Sequence, residues 1–316
     1  MIKYINLFIL TLIIPKITLA YDFLFSVIIS IYNTGRYLEE SIESVLNQSI
    51  KQKKIQIILV NDGSIDETER ICLKYKKEYS ENINYVKTVH GGVSKARNIG
   101  MQLAKGIFIN FLDADDKWDS KAFKYAFLFF RYNKAVNIVA CRLIFFEAKV
   151  NSHPLDYKFY KTRVVNLTKE YNCIQLSSSS SFFRYSLIKN TKFKEGIITG
   201  EDTRFINNML LLNPLLGIIR EAIYYYRKRA DGTSTVQNQV KNKKFYLSVI
   251  KTVNQYLIEK SNKLYNKIVP FIQFFLSYDI LFRIASPSYK YLGKKKLRKY
   301  YEKIEQILKQ IDDKYI

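Results

Sequence analysis

Residues 25–35 read FSVIISIYNTG, and this stretch guides the interpretation of the rest of the chain. A short run of apolar, β-branched residues predicts a buried strand, and Asn33-Thr34-Gly35 predicts the turn that ends it. From Tyr37 onward apolar residues recur at helical spacing, with glutamates on the opposite face. The stretch therefore begins a strand-and-helix unit.

The same unit recurs further along the chain. Apolar runs predict strands at residues 55–60, 83–89 and 107–112, and amphipathic spacing predicts helices at residues 67–79 and 93–104. Strands that alternate with helices indicate the α/β class, a doubly wound, mostly parallel sheet flanked by helices. In such sheets a ligand binds beyond the carboxyl ends of the strands. Those ends carry Tyr32-Asn33, Asp62-Gly63 and the run from Asp113 to Asp116.

Length and composition permit a folded enzyme. The 316 residues are 48% apolar and 25% charged, as in ordinary globular proteins. We expect three parts: an apolar N-terminal segment (residues 1–22), a main domain (residues 23–235) and a helical, basic C-terminal region (residues 236–316). The N-terminal segment is interpreted as a membrane anchor, a signal-like sequence or the product of a misassigned start.

The charge of the chain is +23, which favours anionic partners such as nucleotides or phospholipid surfaces. The abundance of Lys, Ile and Asn would equally follow from an AT-rich genome, without selection for binding. A non-catalytic basic protein that binds lipid or nucleic acid is therefore an alternative. Three scattered cysteines and two histidines argue against a zinc site.

The C-terminal region contains two informative helices. Residues 268–285 are strongly apolar but include Gln273, Asp279 and Arg283, which favours a packed helix over a membrane span. The last helix has an apolar face preceded by the basic run from Lys294 to Lys299. That face either covers the protein core or lies on an anionic membrane.

The sequence Asp113-Ala114-Asp115-Asp116 follows a predicted strand and is the strongest chemical signal. Carboxylates two residues apart on a turn can converge on one hard cation, and Mg²⁺ or Mn²⁺ prefers such ligands together with substrate phosphates. We expect Asp113 and Asp115 to form the metal site, with Asp115 as the direct ligand. A solvated acidic turn is the alternative.

A second signal is GGVSKARN, residues 91–98, which opens a predicted helix. Backbone N–H groups at a helix start, together with Arg97, could hold the negative charge of a nucleotide. An ordinary turn with a helix cap is the alternative.

Five segments, in order, resemble glycosyltransferase family 2. They are SVIISIYN (26–33), VNDGSIDET (60–68), GGVSKARNIG (91–100), FLDADD (111–116) and GED (200–202). The resemblance implies the GT-A fold, with a catalytic domain whose first half binds a nucleotide sugar and whose second half binds the acceptor. It further implies an inverting, metal-dependent transferase of hexosyl or N-acetylhexosaminyl groups.

The resemblance assigns roles to individual residues. Ser30, Tyr32, Asn33, Asp62, Gly63, Arg97 and Asp113 are implied to bind the nucleotide sugar. Asp115 and Asp113 are the implied DxD metal pair, and Asp202 the general base, with Glu201 as its nearest rival. The family usually has Pro at the position of Ser30 and Asp at that of Asn61, so we expect altered nucleotide affinity at most.

The segment YYYRKRADGTS, residues 224–234, resembles one found in capsule and lipooligosaccharide transferases of the family. Arg227 and Arg229 are expected to hold a phosphate of donor or acceptor, or else to be solvated arginines at a strand edge. The QxxRW motif of processive synthases does not occur, which favours one sugar per acceptor.

These observations define the predicted activity. The expected donor is a UDP-sugar and the expected acceptor a cell-surface glycan or lipid-linked molecule, at the inner face of the cytoplasmic membrane and without nucleic acid. A nucleotidyltransferase on a related fold is the enzymatic alternative.

Overall fold

The computed structural model describes residues 22–231, 243–285 and 292–316. The predicted N-terminal segment lies outside these residues, except for Asp22. The strands are β1 Phe25–Ile31, β2 Ile55–Asn61, β3 Ile83–Lys87, β4 Phe108–Asp113, β5 Lys117–Trp118, β6 Ile138–Glu147, β7 Asn151–Ser152, β8 Arg163–Asn166, β9 Ser181–Arg184 and β10 Leu215–Lys228.

The α-helices lie between and after these strands. They are α1 Gly35–Leu46, α2 Thr68–Glu78, α3 Val93–Leu103, α4 Ala122–Tyr132, α5 Tyr185–Ile188, α6 Glu201–Leu210, α7 Lys243–Val249, α8 Tyr256–Tyr265, α9 Pro270–Ala285 and α10 Lys294–Leu308. A π-helical segment, Ile250–Gln255, joins α7 to α8, and short 3₁₀ turns occur at Gln52–Lys54, Pro154–Phe159 and Asp313–Tyr315.

The strands form one mixed sheet in the order β3-β2-β1-β4-β9-β6-β10-β5. The four N-terminal strands are parallel, and so is the pair β6–β10. Strand β9 runs antiparallel between β4 and β6, while β5 and β8 pair antiparallel with β10 and β7 with β6. The predicted α/β class, with a mostly parallel sheet flanked by helices, is confirmed.

Both faces of the sheet are covered, as the apolar sequence of β1 requires. Val27 and Ile29 point into one core cluster, with α1, α2 and α4. Ile28 points into the other, with α3, α6 and the C-terminal helices. Helix α3 packs so closely on β1 that a Cβ atom at Gly100 would lie 2.3 Å from Ile28 Cγ2. The carboxyl ends of β1, β2 and β4 thus share one edge of a three-layer sandwich.

The C-terminal helices complete the second core cluster. Phe271 and Phe275 of α9 are buried there, so the predicted packed helix is confirmed. In α10, Tyr300, Ile304 and Ile307 are buried in the same cluster. The structure therefore supports the interpretation in which this apolar face covers the core.

Candidate active site

Arg97 is the centre of the site. It lies on the second turn of α3, with a side chain that is only 3% exposed. Its Nη2 donates to Asp113 Oδ1 at 2.9 Å, and its Nη1 donates to Glu201 Oε1 at 3.3 Å and to Asp202. Phe193 packs against the guanidinium, 5.2 Å from ring centre to Cζ. One arginine thus joins the end of β4 to the start of α6.

The two acidic residues at the start of α6 are strongly affected by this environment. Burial raises the pKa of Asp202, which the charge of Arg97 counteracts. Burial likewise raises the pKa of Glu201, and the negative charge of Asp202 adds to that effect. Gly200, with φ of +83°, turns the chain into the helix so that both carboxylates face Arg97. The site therefore contains carboxyl groups that exchange a proton more readily near neutral pH than ordinary ones do.

Two serines that the sequence analysis did not select complete this cluster. Ser178 donates from Oγ to Asp202 Oδ1 at 2.8 Å and from its backbone N–H to Oδ2 at 3.2 Å. Ser179 Oγ donates to Asp113 Oδ2 at 2.8 Å. The signal that could have revealed them is the run from Ser177 to Ser181, which immediately precedes and begins β9, the strand beside β4.

Asp115 belongs to a neighbouring group of charges. Arg229 Nε donates to Asp115 Oδ2 at 2.8 Å, while Arg227 Nε donates to the Asp115 carbonyl at 2.7 Å. Burial raises the pKa of Asp115, and the nearby charge of Asp113 contributes to the increase. A buried carboxylate beside a second one requires positive charge, which Arg229 supplies within the protein.

Asp116 is buried and serves the structure. Its Oδ2 accepts the hydroxyl hydrogen of Tyr224 at 2.6 Å, and its Oδ1 accepts the Arg227 backbone N–H at 2.7 Å. Burial and the charges of Asp115 and Asp113 raise its pKa well above the ordinary value. Asp116 thereby fastens β10 to the turn that carries the two metal-ligand candidates.

Arg227 is engaged within the protein. Its guanidinium pairs with Glu147 at 2.5 Å and with Glu40, and it packs over Tyr37 and Phe146. Arg227 is therefore not a solvated edge arginine, and the expectation that it contacts a phosphate stays a prediction. Arg229 is also partly buried and not a solvated edge residue. The rest of that motif, from Gly232 to Ser234, lies outside the described residues.

The ends of β1 and β2 form a second part of the site. Tyr32 is 46% exposed and stacks on His90, with ring centres 4.1 Å apart. His90, which the sequence analysis did not select, has Nδ1 3.0 Å from Asp62 Oδ2. The exposed Tyr32–His90 pair provides an aromatic surface that a nucleotide base could stack on.

Asp62 is almost fully buried and holds the loop beneath this surface. Gly91 N donates to its Oδ1 at 2.9 Å and Gly92 N to its Oδ2 at 2.7 Å. Two of the N–H groups of this segment are therefore bonded to Asp62 within the protein, and the expectation that the helix start holds nucleotide charge stays a prediction. Gly63 adopts φ of +77°, and a Cβ there would lie 3.0 Å from His90 N, which explains why glycine fits.

Three polar residues lie at the ends of β1 and β2, and two of them, Ser30 and Asn61, depart from the family pattern. Asn61 is buried, with Nδ2 donating to Tyr85 OH and Oδ1 accepting from Ser64 N. Asn33 accepts from Ile65 N at its Oδ1 and donates from its own N–H to Ser64 Oγ. Ser30 Oγ is buried without a hydrogen-bond partner among the described residues. Asn61 and Asn33 therefore hold the loop, and Tyr32 presents its ring on it.

Two carboxylates of the site form a pair that is compatible with binding a divalent cation. Within the described ranges, no three His, Cys, Asp or Glu side chains converge as a ligand set. Asp113 and Asp115 supply carboxylate oxygens, and Mg²⁺ is commonly held by one or two carboxylates plus phosphate oxygens of a substrate. The donor set therefore fits Mg²⁺ or Mn²⁺ completed by a diphosphate.

This chain is similar to known proteins in sequence and in fold. Residues 26–191, more than half of the chain, match the family described as Glycosyl transferase family 2. The chain belongs to this family. The matched range includes Tyr32, Asp62, Arg97, Asp113 and Asp115, whereas Glu201 and Asp202 lie beyond it.

Two relatives of this family 2 member come from Bacillus subtilis (strain 168). Minor teichoic acid biosynthesis protein GgaA is 35% identical over 303 residues, which cover 93% of this chain and 68% of GgaA. Minor teichoic acid biosynthesis protein GgaB is 36% identical over 300 residues, 94% of this chain. This chain spans only 33% of the length of GgaB. These relatives are named for teichoic acid, not for capsule or lipooligosaccharide.

Solved structures confirm the GT-A fold that the resemblance implied. Staphylococcus aureus TarS 1–349 in complex with UDP-GlcNAc superposes with a TM-score of 0.73 at 20% identity, covering 92% of this chain and 82% of that one. The mannosyltransferase PcManGT of Pyrobaculum calidifontis, in complex with GDP-Man and Mn²⁺, has a TM-score of 0.56 at 15% identity, covering 92% and 86%. At these identities the likeness concerns the fold.

Within residues 22–231, 243–285 and 292–316, every helix is too short or too polar to cross a lipid bilayer.

Proposed function

We propose that this chain transfers a sugar from a UDP-sugar to a hydroxyl group of a phosphate-containing cell-wall glycan, with inversion at the anomeric carbon. The observation that carries the proposal is the convergence of Asp113, Glu201 and Asp202 on Arg97. Asp113, the candidate metal ligand, and Asp202, the candidate general base, thus bind the two terminal nitrogens of one guanidinium. The acceptor class is suggested by the teichoic acid relatives, and the donor by the UDP-GlcNAc complex of TarS.

Asp202 is the proposed general base. It would accept the proton of the acceptor hydroxyl while that oxygen attacks the anomeric carbon and the bond to the nucleoside diphosphate breaks. Arg97 and Ser178 favour the ionised form of Asp202, which burial disfavours, so the carboxylate can act near neutral pH. Glu201 is the second candidate. A single attack assisted by one base on the face opposite the leaving group inverts the configuration.

Asp113 and Asp115 are the proposed ligands of Mg²⁺ or Mn²⁺. Such a cation would neutralise the charge that develops on the departing diphosphate. Arg97 and Arg229 pair with these carboxylates and would contact the same diphosphate if a bound cation took over those carboxylates. Tyr32 stacks on the nucleotide base, next to His90, and Asp62 and Gly63 hold the loop below it.

The proposed location is the cytoplasmic side of the membrane, where nucleotide sugars are made. Leu281 and Phe282, on α9, are 55% and 63% exposed, and the basic start of α10 follows them in the chain. The charge of Arg283 interacts with Tyr300, so the two helices are neighbours. Exposed apolar side chains on one helix and lysines on a neighbouring helix suit an anionic lipid surface. Cosedimentation with phosphatidylglycerol vesicles, lost in Phe282→Glu but retained in Leu212→Glu, tests this location.

The activity is tested with the purified chain and a panel of donors: UDP-N-acetylglucosamine, UDP-glucose and GDP-mannose, each with and without Mn²⁺. We expect slow, metal-dependent release of nucleoside diphosphate from one UDP-sugar. With an oligomeric polyol-phosphate acceptor, Asp202→Asn should abolish transfer, and NMR of the wild-type product should show the inverted anomer. Glu81→Gln, an exposed and distant change of the same kind, is the control.

Three results would contradict the proposal. Release of pyrophosphate in place of nucleoside diphosphate would indicate a nucleotidyltransferase. Wild-type turnover by Asp202→Asn would remove the assigned base. Absence of turnover and of nucleotide binding across the panel would favour a non-catalytic basic protein.

A further inference from the structure

A second concave surface lies beside the active site, and none of the roles above uses it. It has a volume of about 340 Å³, which is the size of a small-ligand site. Its walls come from α6, from α8 and from the loop at residues 191–195. The residues used in the argument are Lys192, Phe193, Lys194, Arg204, Asn208 and Tyr256. We call this concavity the α6–α8 cavity.

Arg204 is the unusual residue of the α6–α8 cavity. Its Nη1 donates to the Thr252 carbonyl, and its Cζ lies 3.4 Å from the centre of the Tyr256 ring. Among the described residues, no carboxylate forms an ion pair with it, whereas Arg97, Arg227 and Arg229 each pair with at least one carboxylate. Partial burial lowers the pKa of Arg204. Arg204 is therefore a partly buried cation on the wall of the cavity, without a carboxylate partner among the described residues.

The geometry of Arg204 suits a phosphate group. Stacking on Tyr256 and bonding to a carbonyl fix the plane of the guanidinium, and Tyr256 is itself held by donating to Asn208 Oδ1 at 2.8 Å. A guanidinium with a fixed plane makes forked hydrogen bonds to phosphate oxygens at little entropic cost. The side chain is therefore preorganised for an oxyanion.

The rim of the cavity is also positive. Lys192 and Lys194 are both exposed there. The single carboxylate of the lining, Glu195, accepts a hydrogen bond from Asn98 Nδ2 at 3.0 Å. Three positive charges thus face one negative charge that already has a partner.

The cavity adjoins the active site without belonging to it. Phe193 lies between them, because its ring packs on Arg97 and it also lines the cavity. Phe205 of α6 stacks on the same ring at 3.9 Å. A group bound in the cavity would therefore contact the helix that begins with Glu201 and Asp202.

We propose that the α6–α8 cavity binds a phosphate group, with Arg204 as its principal ligand and Lys192 and Lys194 supplying additional charge. The phosphate is either a free monoester or a diester within a longer chain. This inference goes beyond the proposed function, because binding in the cavity requires neither a nucleotide sugar nor sugar transfer.

Calorimetric titration with glycerol 3-phosphate, at matched ionic strength in chloride, tests the site. We expect saturable binding that Arg204→Gln weakens about tenfold or more, since a hydrogen bond to a charged group is lost. The double variant Lys192→Ala/Lys194→Ala changes only exposed side chains and should weaken binding several-fold. Lys189→Ala, an exposed lysine of the same segment outside the cavity, is the matched control.

Two comparisons separate this site from the donor site and identify the source of the phosphate. Wild-type protein saturated with UDP should bind glycerol 3-phosphate unchanged, and Arg204→Gln should bind UDP as wild type does. A phosphodiester-linked glycerol phosphate oligomer that binds more tightly than the monoester would indicate a diester within a chain, and the reverse a free monoester. The proposal is overturned if the wild type binds neither, if Arg204→Gln binds as tightly as the wild type, or if UDP competes.

Donor hydrolysis is measured on the same preparations. Phosphate binding in the α6–α8 cavity and donor hydrolysis are separate readouts. A wild-type protein that binds glycerol 3-phosphate but hydrolyses no donor would contradict the proposed function and leave the phosphate site standing.

Discussion

Arg229 Nη2 lies 2.6 Å from Asp115 Oδ2, so the carboxylate proposed as the direct metal ligand is already paired with a guanidinium. The end of β10 thereby closes over the turn that follows β4. A metal ion that binds Asp115 must share this carboxylate with Arg229 or displace it. The negative charge of a bound diphosphate would give Arg229 a new partner in exchange.

The first prediction concerns Asp115. Asp115→Asn should lower metal-dependent donor hydrolysis about a hundredfold or more, because the amide cannot replace the charge of the carboxylate on the cation. The rate is to be measured at saturating Mn²⁺, with Glu81→Gln as control. A variant that retains the wild-type rate and metal dependence would remove Asp115 from the proposed metal site.

The second prediction concerns Ser178, which the structure places against the proposed base. Ser178→Ala should reduce kcat about tenfold. It should also move the acidic limb of the pH–rate profile to higher pH, because the lost hydrogen bond had lowered the pKa of Asp202. The pH dependence distinguishes a role through Asp202 from general loosening of the fold. Ser186→Ala, an exposed serine at the start of α5, should leave the profile unchanged.

The third prediction concerns the aromatic surface at the end of β1. Tyr32→Ala should weaken UDP binding about tenfold, since stacking on a base contributes about 1–3 kcal/mol. The exposed Tyr132, at the end of α4, provides the control Tyr132→Ala, which should bind normally. Equal affinities in calorimetric titrations of Tyr32→Ala and the wild type would mean that the base binds elsewhere.

The fourth prediction concerns pH and stability. Burial raises the pKa of Asp116, so the fold favours its protonated form. The unfolded chain ionises this group at the ordinary Asp pKa, so above that pH the free energy of unfolding declines by about 1.4 kcal/mol per pH unit until the raised pKa is reached. Asp116→Asn should therefore flatten the decline of unfolding free energy that begins above the ordinary Asp pKa of about 4. Urea denaturation across this range measures it, and parallel curves for the two proteins would contradict the prediction.

The N-terminal half of the fold could be predicted because each of its units is local. Strand β2 was predicted at residues 55–60 and extends over Ile55–Asn61, and α3 was predicted at residues 93–104 and extends over Val93–Leu103. In these units a buried strand is followed at once by its covering helix. The hydrophobic pattern of a few adjacent residues therefore carries the information.

The second half could not be predicted in the same way. Strand β9 runs antiparallel between β4 and β6, and β10 shifts register between Ile219 and Ile223, which are consequences of long-range pairing. No element was predicted for the aromatic run around Phe127, yet it forms α4. Pairing partners far apart in sequence leave no periodic signal.

Most residues of the candidate site could be predicted from the sequence, but the hydrogen bonds and ion pairs between them could not. Asp113, Arg97 and Asp202 were selected from motifs, and the structure brings all three together. The partners of Asp62 and Arg227 could not be foreseen, since they depend on loops and on α1. Ser178 was missed because a serine hydrogen-bonds in many contexts and only its position beside Asp202 gives it a role.

The support that α6 receives from the C-terminal helices limits how members of this family could be recombined. A Cβ atom at Gly200 would lie 3.0 Å from Val253 Cγ2, and Arg204 stacks on Tyr256. Helix α6, which begins with Glu201 and the proposed base Asp202, therefore packs in part against residues beyond the predicted domain boundary at residue 235. In a chimera joined at that boundary, α6 would come from one parent and the residues that pack against it from the other. The two packing surfaces would then not match. Functional hybrids would need to inherit α6 and residues 250–258 from the same parent.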